Sequence, residues 1–413
     1  MNKNIWIVNF YYQQPSRIKH ARHLMFAKYL QDVGYNTVLF TACEYDGKEG
    51  EVVAATKRYV IVKYGEYQYV HIKTSKVRGN VSRGFAIFLF ALRLFLLKGR
   101  FERPALIIHN IHEPFDYPVY WCAKKMKVKY IADDWDMWAY SFVRQGMVKK
   151  NGLLSKFIFC IDRKFFENAD SVVFSMEGGK DYIRDMGWDK ESGGSIDLNK
   201  VHYINNGVDV AASIENSEKY RLEDTDLSDP STYKAVYMGS VSQSNDLMVF
   251  IKAADELRSE KDYRFLIYGN GNQRKSLEKY CMDNQITNVI FKEKHIPLEC
   301  VPYVLSQCDL NIICHKQGFK YGLSLGKLFQ AFASGKPICC NTTNNYDLVK
   351  KYNLGVSDDF TDAKECAGAI LQLKNLSKEE YDVMCKRVSE IAWQFDYEVL
   401  SKKMVKIVKD TLQ

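Results

Sequence analysis

Tyr321 to Ile338 reads YGLSLGKLFQAFASGKPI, and this stretch decides the fold. Gly322 and Gly326 bound a short loop, Ser324 stands where a helix cap is expected, and Lys327 falls in the first helical turn. The N–H groups of such a turn have no intrahelical acceptor, so an anion is a natural partner for them. A plain amphipathic helix, with Leu328, Phe329, Phe332 and Ala333 facing a core and Lys327 in solvent, explains the same letters.

The surroundings favour the anion. Upstream, Ala235–Gly239 is a short apolar strand ending in glycine, and Asp246–Ser259 has helical periodicity. Arg264–Tyr268 then runs into Gly269-Asn-Gly271, followed by helix Gln273–Asn284, strand Asn288–Lys292, helix Leu298–Ser306 and strand Leu310–Cys314. After the loop helix come strand Pro337–Cys340 and a helix near Asp347. Strands alternating with helices at this spacing predict a parallel sheet covered on both faces. Ligands of such sheets bind beyond the carboxyl ends of the strands, the edge that carries Gly239, Gly269, Gly271 and the Tyr321–Lys327 loop.

The first half has the same rhythm. Asn4–Phe10 reads as a buried strand, Gln13–Lys19 as a polar loop and His20–Val33 as a helix closed by Gly34. Further strands are expected at Thr37–Thr41, Tyr69–Lys73, Ala105–His109, Lys129–Asp133, Ser171–Ser175 and Val201–Ile204. The division expected is a first α/β domain over 1–209, a Ser/Asp/Glu-rich linker over 210–232, a second α/β domain over 233–390 and a terminal helical segment over 391–413.

Several motifs now fall in order: Asn206-Gly-Val-Asp209, Val236-Tyr-Met-Gly-Ser240, Ile267-Tyr-Gly-Asn-Gly271, the Lys327 loop and Ala333-Ser-Gly-Lys-Pro337. Together they resemble glycosyltransferase family 4 of the GT-B fold, over nearly the whole chain. In the first half, Trp6–Tyr11, Arg22-His23, Ile72–Thr74, Arg78–Asn80, Arg83 and Asp133-Asp-Trp-Asp-Met-Trp138 look like the branch that builds bacterial O-antigen and capsule. The resemblance implies two doubly wound Rossmann-like domains facing a central cleft, with the terminal helix, Tyr397–Leu412, crossing back to the N-terminal domain. It also implies a nucleotide diphosphate sugar, by family habit a UDP-sugar, on the second domain and an acceptor on the first, with retention of anomeric configuration. The donor contacts it suggests are Gly239, Ser240, Gly269, Gly271, Tyr321, Gly322, Leu323, Ser324, Lys327 and Gln330. Lys327 and the loop amides would neutralise the diphosphate leaving group. No cofactor is then needed beyond the co-substrate, and no metal is expected, because the Asp-x-Asp of Asp134 and Asp136 follows the wrong sheet.

The chain departs from the family at three places. Two glutamates eight positions apart are usual; here Gly322 and Gln330 stand in their places. Ser240–Ser244 lacks the usual basic pair, and Trp135 replaces a histidine. Ile111-His-Glu-Pro114 matches a His-Glu-Pro turn of relatives, and His112, Glu113, Asp134 and Asp136 are expected to line the acceptor side, one of them orienting or deprotonating the acceptor hydroxyl. Structural readings stand beside them: acids in ADDWD as caps of the next helix, and His112 as a satisfied loop residue. The function expected is transfer of a sugar to a lipid-linked glycan, the alternatives being a UDP-sugar 2-epimerase and an inactive homologue serving as a scaffold.

Charge narrows the partners. Residues 1–200 carry 31 Lys and Arg against 21 Asp and Glu, and the rest 27 against 29, so the overall charge of +8 is N-terminal in origin. Val81–Arg103 is an apolar helix studded with Arg83, Arg93, Lys98, Arg100 and Arg103, with an apolar run too short to span a bilayer. It reads as an interfacial helix on anionic lipid or as a core helix with a charged end. No nucleic-acid motif accompanies it. A first strand starting near Met1 leaves no room for a signal peptide, and eleven scattered cysteines suit a reducing compartment. The expectation is a cytoplasmic enzyme, peripheral on the inner face of the plasma membrane.

Overall fold

The computed structural model describes residues 2–12, 21–43 and 58–413. The polar loop expected at Gln13–Lys19, and His20 after it, lie outside these residues. The chain forms two compact units, Met1–Asn205 with Tyr397–Gln413, and Asn206–Asp396. Each is a sheet of parallel strands, with one antiparallel edge strand in the first unit, covered by helices, so the fold class is α/β with two Rossmann-like domains.

In the first unit the strands are β1 (Asn4–Val8), β2 (Asn36–Cys43), β3 (Tyr59–Tyr64), β4 (Tyr67–Lys73), β5 (Leu106–Asn110), β6 (Lys129–Asp134), β7 (Ser171–Phe174) and β8 (Val201–Tyr203). Their order is β3-β4-β2-β1-β5-β6-β7-β8. β1 is central and every residue of NIWIV is buried, as a strand flanked on both edges and both faces requires. β3 has no counterpart in the sequence reading. It pairs antiparallel with β4 through a two-residue turn containing Gly65 at φ 60°, and its residues are mostly half-exposed. A search for buried parallel runs passes over such an edge strand.

Helix Tyr397–Leu412 belongs to this unit. Leu400, Met404, Val405 and Val408 share one core with Leu24, Leu30, Ile5 and Ile131, and Thr411 Oγ1 meets Ser171 Oγ at 2.8 Å. On the other face of the sheet lie helices Asn80–Leu97, Pro118–Met126 and Leu153–Asn168, because the crossovers from β4 to β7 all run the same way. With its 3₁₀ extension the first of these covers Asn80–Arg100, long and apolar enough to cross a membrane by length and composition. One face of it is nevertheless packed: Gly84, Ala86, Ile87, Phe90, Ala91 and Leu94 are buried.

In the second unit the strands are β9 (Tyr233–Met238), β10 (Tyr263–Tyr268), β11 (Val289–Phe291), β12 (Leu310–Ile313), β13 (Ile338–Cys340) and β14 (Gly355–Ser357), ordered β11-β10-β9-β12-β13-β14 and all parallel. Residues 210–232, expected to be a linker, instead fold into this unit as helices Val210–Lys219 and Thr225–Ser228. The acids that suggested a solvated linker are caps and partners. Asp209 accepts from the Ala212 N–H, Asp224 from the Asp226 N–H, and Asp224 also takes the Tyr268 hydroxyl at 2.6 Å and pairs with Lys292 at 2.5 Å.

Candidate functional site

Sheet order points to the second unit's candidate site. From β9 the chain builds outward to β10 and β11, then returns to lay β12, β13 and β14 on the other side. Such a reversal is where open α/β sheets bind ligands. The loops after β9, β10 and β12 carry Gly239 and Ser240, Gly269 and Gly271, and Tyr321 to Lys327.

The first two loops are knitted to each other. Gly239 N–H donates to Tyr268 O at 3.1 Å, and Val241 N–H to Asn270 O at 2.9 Å. A Cβ on Gly269 would lie 1.8 Å from Gly239 O, and one on Gly271 2.1 Å from Val241 O. These glycines therefore serve first the close approach of two backbones. Arg274, which the sequence reading missed, holds the Gly269 carbonyl at 2.5 Å and that of Lys292 at 2.7 Å. Ser240 is exposed, and its carbonyl accepts from Tyr237 Oη at 2.6 Å and Asn245 Nδ2 at 2.7 Å.

The third loop leads into helix Gly326–Ser334, ended by Gly335 at φ 67°. Its N-cap is Leu325, without a side-chain cap. Ser324 was expected to cap but lies one residue too early. Its Oγ instead accepts from the Asn206 N–H at 2.8 Å and its carbonyl from Asn206 Nδ2 at 2.9 Å. Gly322, at φ 98°, and Tyr321 are buried, Leu323 is half-buried, and Gln330 is exposed in the second helical turn.

Lys327 turns inward. Its Nζ donates to Asn245 Oδ1 at 2.8 Å and to the Cys314 carbonyl, and lies 4.9 Å from the Tyr237 ring centroid. Burial lowers the pKa of this ammonium from its ordinary value. Two of its three N–H donors are thus committed to fixing it between the loops after β9 and β12, and a third remains for an anion. The sequence contained no sign of Asn245 as the partner.

In the first unit the sheet order reverses between β1 and β5, and Asn9 Nδ2 donates to Asn110 Oδ1 across that point. His112, Glu113 and Asp116 follow β5. Asp116 Oδ2 lies 2.8 Å from His112 Nδ1 and 3.0 Å from His109 Nε2, while Oδ1 accepts from the His112 N–H at 2.9 Å. Burial would raise the Asp116 carboxyl, but the two imidazoles outweigh it and hold it well below the usual carboxylate range. A carboxylate only accepts, so Nδ1 of His112 carries the hydrogen and Nε2 of the neutral ring carries a lone pair. Tyr11 and Trp138 pack edgewise on that ring at 5.1 and 5.0 Å. Asp116 was missed by the sequence reading, although its spacing, four residues beyond His112, was visible.

The two aspartates of the Asp-x-Asp part company. Asp136 is exposed, with Trp138 Nε1 at 3.4 Å from Oδ2. Asp134 is buried and its Oδ1 accepts from the Asp136 and Met137 N–H groups at 3.2 and 2.7 Å, so it shapes the turn rather than facing an acceptor. Nearby, Arg22 is buried, donating to the carbonyls of Ile204 and Asn205 at 2.7 and 2.6 Å and to Asp133 Oδ1 at 2.9 Å. Trp135, in the place of the histidine, donates to Asp133 Oδ2 at 2.6 Å.

Residues 232–375 match the family described as "Glycosyl transferases group 1". The match covers most of the second unit, and the fold of the chain is of the GT-B type. No curated protein matches the chain. Solved structures share the fold across its length. Trehalose-6-phosphate from E. coli bound with UDP-2-fluoro glucose aligns with TM-score 0.73 at 10% identity, covering 99% of both chains. Anabaena HepE in complex with UDP and glucose aligns at 0.63 and 11%, covering 99% of this chain and 100% of that one. WaaG, a glycosyltransferase involved in lipopolysaccharide biosynthesis, aligns at 0.65 and 13%, covering 98% and 99%.

Proposed function

We propose that the protein moves a sugar from a nucleotide diphosphate sugar, UDP-linked, to a lipid-linked glycan in the building of a surface polysaccharide such as capsule or O-antigen. The observation that carries this is the ammonium of Lys327, fixed in the first turn of a helix at the reversal of the sheet. There the cation and the amides of the helix start would converge on the charge that develops on a departing diphosphate. No metal is required at that point. Gln330 offers an amide to ribose hydroxyls. Retention follows if the leaving phosphate oxygen takes the acceptor's proton on the same face. UDP released from a UDP-sugar only when acceptor is added supports transfer. An epimerised sugar supports the 2-epimerase, and binding without turnover an inactive scaffold.

On the first unit, His112 serves the acceptor hydroxyl, with Asp116 as its positioning residue and Asp136 beside it. Asp116→Asn is expected to lower kcat about tenfold with little change in the donor KM, since an orienting hydrogen bond is lost and the donor contacts are untouched. Asp116→Glu, which keeps the carboxylate, should recover part of that loss. An unchanged kcat in Asp116→Asn would leave Asp116 a purely structural residue.

The acceptor's lipid and the protein's place on the cytoplasmic face of the membrane rest on the helical face of the first unit. Phe85, Phe88 and Leu96 of Asn80–Leu97 are exposed, as are Leu153, Leu154 and Phe157 of Leu153–Asn168, and Arg100, Lys149, Lys150 and Lys156 lie exposed beside them. Apolar and basic groups together suit an anionic bilayer surface. Co-sedimentation with vesicles containing phosphatidylglycerol, lost in Leu153→Asp/Phe157→Asp, is the expected result; equal binding by the variant would remove this face from the account.

A further inference from the structure

Glu113, Asp134 and Asp162 approach from three directions: the loop after β5, the end of β6, and the middle of helix Leu153–Asn168. One carboxylate oxygen of each lies within 4.8 Å of the others, and the residues are 0, 1 and 2% exposed. Proximity of acids alone says little. What distinguishes this group is that Asp134 Oδ2, closed to solvent, has no hydrogen-bond donor among the described residues, and that the side chain facing the equally closed Glu113 carboxyl is another acid, Asp162. The bonds that exist point elsewhere, from two backbone amides to Asp134 Oδ1 and from the Tyr182 hydroxyl to Asp162 Oδ2 at 2.5 Å.

Among the described residues nothing positive offsets them. The charged neighbours acting on Glu113 are Asp162 and Asp116, and the one acting on Asp162 is Asp134. Among the described residues no lysine or arginine pairs with any of the three, and the buried Arg22 is taken by Asp133. Buried carboxylates without a counter-charge are strongly disfavoured, so the cluster must either keep protons or hold a cation. Two features favour the cation. A proton shared between Glu113 and Asp162 would still leave the buried Asp134 Oδ2 without a donor. The spread also fits, since ligands on opposite sides of an ion with metal–oxygen distances of about 2.3–2.6 Å stand about 5 Å apart.

We propose that Glu113, Asp134 and Asp162 hold one hard divalent cation, which ties the His112 loop, the Asp136 turn and helix Leu153–Asn168 together. The donors are oxygen only, which selects calcium, magnesium or manganese over zinc. The ion is structural. It orients the turn whose Asp134 oxygen fixes the Asp136 amide and takes no part in the departure of the diphosphate. The sequence hid this site because its ligands lie far apart along the chain and form no spaced motif.

The test uses the full chain, purified without chelator and analysed for metal by mass spectrometry, then unfolded and refolded with EDTA or with calcium, magnesium or manganese chloride. The expected result is one ion per chain and a melting temperature on the order of 5 °C or more higher in one of the three salts than in EDTA. Glu113→Gln and Asp162→Asn should each abolish both the bound ion and the salt-dependent rise. Because a neutral amide relieves the crowding of charge, these variants should fold in EDTA at least as well as the parent chain. A parent chain with no bound ion, and with the same melting temperature in EDTA and in all three salts, would mean that protons neutralise the cluster and would overturn the proposal. So would ion binding that survives in both variants.

Discussion

Lys327→Ala should weaken binding of a UDP-sugar by roughly a hundredfold, read by isothermal titration, while the chain remains folded. The size follows from losing a charge-assisted contact in a partly desolvated place, where such contacts are about twice as strong as neutral ones and stabilise the leaving group further in the transition state. Some stability must also go, since Asn245 Oδ1 and the Cys314 carbonyl lose their donor. Lys327→Met loses the same donor but keeps the bulk of the stem, so comparing the two variants separates lost packing from the lost ammonium. A second control comes from Gly326, whose added Cβ would meet open space. Gly326→Ala should leave the melting temperature unchanged or slightly raised, as alanine suits a helix better. A fall in affinity in that variant then reports a ligand lying against the helix start. If Lys327→Met binds UDP-sugars as the parent does, the anion is held elsewhere and the donor assignment fails.

Gly269→Ala should destabilise the second unit by about 3–5 kcal/mol, the range reached when a core is overpacked and a strained backbone is imposed together. The new methyl would stand 1.8 Å from the Gly239 carbonyl oxygen, and the residue has φ 130°, where side chains other than glycine's are rarely found. Neither obstacle can be relieved by moving a side chain, because the obstructing atom is backbone. For a unit of this size the melting temperature should fall by about 6–15 °C. A fall of less than about 2 °C would show that the two loops can part without cost. Glycines of this kind are easily credited to ligand binding, so an activity assay alone would mislead here.

Much of the architecture can be read from the letters. β1, β5, β6 and β9 to β13 are short apolar runs closed by polar turns, and burial on both faces leaves such runs little freedom to be anything else. The exception, β3, is half-exposed and antiparallel, and its signal is a turn around Gly65 rather than a hydrophobic run. The segment 210–232 misled because capping acids and linker acids have the same composition and differ only in what they bond. The site divides in the same way. Lys327 is legible because a glycine-bounded helix start is a local pattern. Asn245, 82 residues away, and Arg274 are not, since what makes them matter is a contact across the sheet edge. Ser324 shows the limit at its finest: a helix beginning one residue later than expected turns a cap into a clasp on Asn206.

The return of Tyr397–Leu412 to the first unit has a consequence for biosynthesis. Leu24, Leu30 and Ile5 need that helix as a neighbour, yet about 190 residues must be translated between Asn205 and its first turn. At elongation rates of about 5–20 residues per second this is a delay of roughly 10–40 seconds. Throughout that interval the nascent first unit carries an uncovered greasy flank on the ribosome, which makes it a natural client for chaperones.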